Sequence, residues 1–157
     1  MITNIFLISR ENGACIYHKS YENTEDQHDS TVISGYLTAL SDISEEIGGQ
    51  AKELRLQNKI LKYKFIDKTT LICFIIDAEK ETPEKMKVNN EAIDRIIEKF
   101  KETYPNGINF NGDLSRFHGR SNLDNVVFDK IIYETLLENG ELASFFDDRL
   151  NYLKSLL

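Results

Sequence analysis

The chain has 157 residues, 41% of them hydrophobic and 29% charged. That is the size of one globular domain, with enough apolar side chains to build a core without disulfides or metals. A formal net charge of −7 argues against nucleic acid, or an anionic membrane, as the partner of the whole surface. Two prolines and no Gly/Ser-rich tract leave no candidate linker, and no internal repeat is visible.

Residues 2–9 are apolar at nearly every position, as expected of a central strand covered on both faces. No basic segment precedes the run from Ile5 to Ile8 and Arg10 ends it, so neither a signal peptide nor a membrane span is expected. Ile2 does not fit N-myristoylation, and the Leu156-Leu157 end carries no prenylation cysteine. Asn12-Gly13 reads as a type I′ hairpin turn, since both residues tolerate positive φ. The returning strand, 14–21, carries His18, Lys19 and Ser20 and so lies nearer an edge. Cys15 and Cys73 fall within strand patterns and read as reduced, buried thiols, consistent with a cytoplasmic protein.

A long helix is expected over 24–47. Thr24 and Gln27 have capping-box spacing, Asp26 and Asp29 suit its positive end, and Gly48-Gly49 closes it. Ile33, Tyr36, Leu37, Leu40, Ile43 and Ile47 recur as one stripe. Three strands follow: 52–57 and 60–67 alternate, with a tight turn at Asn58-Lys59 between them, and 69–77 is almost unbroken apolar. Lys52, Arg55, Lys59, Lys62, Lys64 and Lys68 make this region locally basic. They read either as edge protection or as a contact surface for an acidic partner or phosphoinositide. Thr82-Pro83 opens another helix, with Met86, Ile93, Ile96, Ile97, Phe100 and Tyr104 as its stripe. Ser121 and Asp124 cap a further one bearing Val127, Phe128, Ile131, Leu136 and Leu137. In the last segment Leu142, Phe146, Leu150, Leu153 and Leu157 form a seam, facing either the domain's own core or a partner.

The expected class is therefore α+β: a five-stranded antiparallel sheet flanked by helices, in the order 2-1-5-4-3 because the two doubly apolar strands must be neighbours. The division expected is a domain over 1–120 and a helical extension, 121–157, packed on it. No phosphate-binding glycine loop, nucleophile elbow or metal-ligand spacing is present, so no cofactor, metal or catalytic group is expected. The densest polar cluster lies in 111–120, where Asp113 and His118 have the chemistry of an acid/base pair and Arg116 and Arg120 that of an anion clamp. These are equally ordinary loop formers, with Phe117 plugging the core.

The hairpin over 2–21, the helix phrase "TVISGYLTALSDISEEIG" (31–48) and the strand "TTLICFIID" (69–77) resemble the longin fold, a profilin-like, SNARE-like module, and archaeal longin-like proteins in particular. The resemblance spans 1–117. It implies a non-catalytic module that binds peptides, SNARE segments, GTPases or its own kind through the first helix and third strand. No SNARE coil follows here, so a fusion role is not expected. Close approach to the sheet would explain Gly35 inside the helix.

The partner surface is expected at Tyr36, Leu40, Leu54, Arg55 and Leu56, with the seam residues Phe146, Leu150 and Leu153 able to cover it. A third strand at the sheet edge could add a peptide or a second subunit as an extra strand. The reading is thus a binding module or scaffold for a small GTPase or a membrane-trafficking component, or one that self-associates through that edge. Peripheral membrane contact is left open. Two other classes are a PAS- or GAF-like small-ligand sensor and a small hydrolase using the Asp113/His118 loop.

Overall fold

In this computed structural model the described residues are 2–21, 30–48, 53–79, 81–110, 117 and 123–138. In chain order they form β1 (Ile2–Ser9), β2 (Cys15–Ser20), α1 (Ser30–Ile47), β3 (Glu53–Arg55), β4 (Lys59–Phe65), β5 (Thr70–Asp77), α2 (Pro83–Thr103) and α3 (Leu123–Glu138). The strands make one antiparallel sheet in the order β2-β1-β5-β4-β3, as the apolar patterning requires.

Every residue of β1 is buried, and in β5 only Asp77 is not. Their register sorts the side chains by face. Phe6 opposes Cys73 and Ile8 opposes Leu71 on one side; Ile5 opposes Phe74 and Leu7 opposes Ile72 on the other. The first set forms a core with Leu37 of α1. The second forms the larger core, with α2 and α3. Aromatic rings weld that side: Phe128 lies within 5.5 to 6.0 Å of Tyr17, Phe100, Tyr104 and Phe117, centroid to centroid. The Tyr17 hydroxyl donates to Asp129 Oδ1 at 2.6 Å, which ties α3 to β2. Burial holds the Tyr17 hydroxyl protonated well above the ordinary phenol range, and raises the Cys73 thiol too, so Cys73 is inert packing.

The helix signals of α2 act as expected. Thr82 accepts from the Lys85 amide at 3.2 Å and Pro83 occupies the first turn, where its missing N–H costs nothing.

Several expectations need correction. Asn12 has no positive φ; Gly13 alone does, at 63°, and Ser9 N–H donates to Ala14 O across a longer loop. The type I′ geometry is therefore replaced by one left-handed glycine, and a register shift beside Ile8 absorbs the difference. The second hairpin turns one residue early, closing from Leu56 N–H to Lys59 O, so Lys59 belongs to β4. Leu137 is exposed, not in the α3 core. The buried face of α1 is Ser34, Leu37 and Ser41, flanked by half-buried Ile33 and Leu40, while Tyr36, Ile43 and Ile47 point outward. The proposed capping pair Thr24/Gln27, and Gly49, lie outside the described residues. Gly48 does take positive φ, 111°, at the helix end.

Gly35 is not a close-approach site either, because a Cβ there would meet nothing within 4 Å. Gly35→Ala should therefore stabilise the fold by up to about 1 kcal/mol, raising Tm by about 2 to 4 °C. Thermal unfolding followed by circular dichroism checks this; a lowered Tm would mean that α1 needs the glycine.

Candidate functional site

α1 is seated in an unusual way. Its principal contacts are with β1 and β2, and Leu37 is its one fully buried apolar side chain. Beside it the Ser34 Oγ is buried without a hydrogen-bond partner among the described residues, which costs about 1 to 3 kcal/mol in lost hydration. The outward side also carries large apolar side chains: Val32 is 65% exposed, Tyr36 52%, Ile43 56% and Ile47 83%. The inward side mixes Leu37, Ile33 and Leu40 with two serines, while four large hydrocarbons face water beside Asp42, Glu45 and Glu46. The two sides are therefore less sharply divided than on an ordinary surface helix.

Arg10 compensates. It lies at the β1–β2 turn, its Nη2 3.4 Å from Asp42 Oδ1 and paired also with Glu45, while its Cζ sits 5.3 Å from the Phe65 ring centre. The hydrogen bond to Glu45, aided by Asp42, keeps this guanidinium above its already high ordinary pKa. One side chain thus fastens the hairpin tip, the last turns of α1 and the end of β4.

At the opposite margin of the sheet, β3 pairs only with β4 among the described residues. Leu54 opposes Leu61 and, like Leu40, is half-buried against the α1-side core. Arg55 is exposed, its Nε donating to Glu53 Oε2 at 2.9 Å, and Leu56 is 53% exposed. Of the five expected partner residues, Tyr36, Arg55 and Leu56 are therefore open to solvent, and Leu40 on α1 and Leu54 on β3 are each half-buried against the same core. Phe146, Leu150 and Leu153 lie outside the described residues, as do Asp113, Arg116, His118 and Arg120.

The basic strands are largely neutralised by the chain itself. Lys64 Nζ lies 2.8 Å from Asp94 Oδ1. Lys62 Nζ lies 2.5 Å from Asn90 Oδ1 and 3.6 Å from Glu53 Oε1. These links close one wall of a cleft of about 440 Å³ between β4 and α2. His18 is structural: it stacks on Phe6 at 4.2 Å and pairs through Nε2 with Asn4 Oδ1 at 2.9 Å. No group of three or more His, Cys, Asp or Glu among the described residues is placed to hold a metal ion. No helix among them is long and apolar enough to cross a membrane.

Sequence reading missed Val32, Ile43 and Ile47 as surface residues, because α1 has enough apolar positions to draw a stripe on either side. The available signal was the pair Ser34 and Ser41, one side of the helix apart from Ile43 and Ile47.

No family model matches the chain, and no curated protein matches its sequence. Its backbone is similar to that of MglB from Myxococcus xanthus, with a TM-score of 0.50 and 12% identity over 68% of this chain and 85% of that one. The fold is longin-like. Weaker overlaps, each with a TM-score of 0.48, occur with a Roadblock/LC7 domain from Streptomyces avermitilis (12% identity, 68% and 87% covered) and with MglB in a tetrameric arrangement (15% identity, 65% and 79% covered).

Arg10→Ala should cost about 1 to 2 kcal/mol, from the two ion pairs and the ring contact together. The loss should shrink in high salt, which screens the ionic part. Urea unfolding at low and high ionic strength measures it; an unchanged midpoint would show that α1 is held by other means.

Proposed function

We propose that the chain is a protein-binding module without catalytic chemistry of its own, serving as an adaptor or scaffold for a small GTPase or a membrane-trafficking component in the cytoplasm. The observation that carries this is the β3 margin. A three-residue strand pairs on one side only among the described residues, with exposed Arg55 and Leu56 beside it. Backbone N–H and C=O groups on such a margin accept an added strand, which supplies affinity, while neighbouring side chains supply selectivity. Half-buried Leu54 gives the incoming segment an apolar contact on the strand itself. Self-association through the same margin uses identical chemistry, with the longin-like fold as its scaffold. The 141–157 segment, with Phe146, Leu150 and Leu153, would cover this strip until a partner displaces it, and peripheral membrane contact would come through that partner.

The test is binding of the full chain to a panel of purified small GTPases in GDP- and GTP-analogue-loaded states. Saturable binding to at least one is expected, weakened about tenfold or more by Arg55→Pro, which removes a strand N–H. Binding indifferent to Arg55→Pro would place the contact elsewhere. Reproducible hydrolase turnover, lost on His118→Ala, would overturn the non-catalytic reading.

A further inference from the structure

α1 is seated away from the middle of its own apolar surface. At about 100° per residue, every large apolar side chain of the helix, from Val32 at one margin through Tyr36 and Leu40 to Leu37 at the other, falls within a single arc of about 140°. The side chains held fully against the sheet are Leu37, Ser41 and Ser34, and their centre lies about 100° from the middle of that arc. Only Leu37 belongs to both sets. Ile33 and Leu40, close to the middle, are half-buried, and the rest of the arc stands in water. The buried Ser34 Oγ meanwhile has no hydrogen-bond partner among the described residues. One contact accounts for this seat. Arg10, fixed at the β1–β2 turn, holds Asp42 and Glu45, each about 150° around the helix from the middle of the arc.

We propose that α1 has a second seat on the same sheet, reached by turning about 100° on its own axis and moving outward, with Arg10 as the lock between the two. In that seat Tyr36, Leu40 and Ile33 face the sheet, Val32 and Leu37 flank them, and Ser34, Ser41 and the carboxylates turn to water. This is the arrangement of an ordinary amphipathic helix, and it rehydrates the Ser34 hydroxyl. The outward movement makes room for larger side chains where two serines now lie. The turn carries Asp42 and Glu45 away from the hairpin tip, so the second seat and the Arg10 ion pairs exclude each other. Ion pairing thus holds one arrangement and apolar burial favours the other, which gives a packed element two discrete positions instead of a continuum. Salt, or a carboxylate or phosphate that draws off the guanidinium, shifts the population toward the second. The two seats show opposite surfaces to a partner, apolar in the first and rich in serine and acid in the second. The inference is independent of whether the β3 margin binds a partner.

Thiol accessibility tests it. Ser34→Cys and Ile43→Cys are introduced singly into the full chain carrying Cys15→Ser, with Cys73 left in the core, where it is buried, and the rate of reaction with Ellman's reagent is followed. With Arg10 present and at low salt, the thiol at position 43 should react about tenfold faster, or more, than the thiol at position 34. Adding Arg10→Ala should slow the first and speed the second, each several-fold, and raised salt should do the same in part without that substitution. Faster reaction at both positions would show that α1 has come loose, and unchanged rates that it has a single seat; either result overturns the proposal. So would a thiol at position 43 that slows only as protein concentration rises, with position 34 protected throughout, since a second copy would then cover the face. Tyr36→Trp gives a second reading that leaves Ser34 and Ile43 in place. The chain has no tryptophan of its own, so the emission reports position 36 alone. It should shift to the blue on adding Arg10→Ala, with far-ultraviolet circular dichroism unchanged; an unshifted emission would likewise overturn the second seat.

Discussion

The pairing of β1 with β5 is the constraint from which the rest of the molecule follows. Both strands are apolar on both faces, so neither tolerates a sheet edge or a bare side, and each is the other's best neighbour. Once they pair, the more polar strands are pushed outward, β2 to one margin and the β4–β3 hairpin to the other. Both faces of the pair must then be roofed by helices, because Ile5, Leu7, Ile72 and Phe74 point one way and Phe6, Ile8, Leu71 and Cys73 the other. At about 25 cal/mol per Å² of buried apolar surface, this central block is the largest stabilising term available to the chain.

The two roofs are not equivalent. On one side α2 and α3 bring Ile93, Ile96, Phe100 and Phe128 onto the sheet, pinned by the Tyr17–Asp129 and Tyr104–Asp124 hydrogen bonds. On the other, α1 offers Leu37, two half-buried aliphatics and two serines, with Arg10 as an ionic fastener. The weakly seated helix is also the one whose outer surface carries large apolar side chains, and the β3 margin is the shortest strand of the sheet. Local departures from good packing and good helix electrostatics thus concentrate on α1.

The strand order was legible because continuous burial leaves a signal that needs no alignment: an unbroken run such as Leu71 to Ile76 has no polar face to expose. The α2 helix was legible for a similar reason, since Thr82-Pro83 marks its start and its polar and apolar sides separate cleanly. The facing of α1 was not. Ile33, Leu37 and Leu40 define one stripe and Val32, Tyr36, Ile43 and Ile47 another, and hydrophobicity alone cannot choose between them. Serine escapes notice because a polar side chain is not read as a core residue, yet Ser34 and Ser41 are both buried. Asn12-Gly13 misled for a different reason: only Gly13 needed the left-handed region, so the dipeptide signalled a turn without fixing its type. The candidate surface was half legible, Arg55 and Leu56 from alternation and edge position, Ile43 and Ile47 not at all.

Native-state hydrogen exchange of the free chain, resolved by residue, tests this arrangement most directly. Amides of β1 and β5 should exchange only with global unfolding, whereas those of α1 should open at a clearly lower free energy, as a separately released unit. Protection of α1 equal to that of β5 would contradict it, because a helix so firmly bound could not be held by Leu37, the half-buried Ile33 and Leu40, and Arg10.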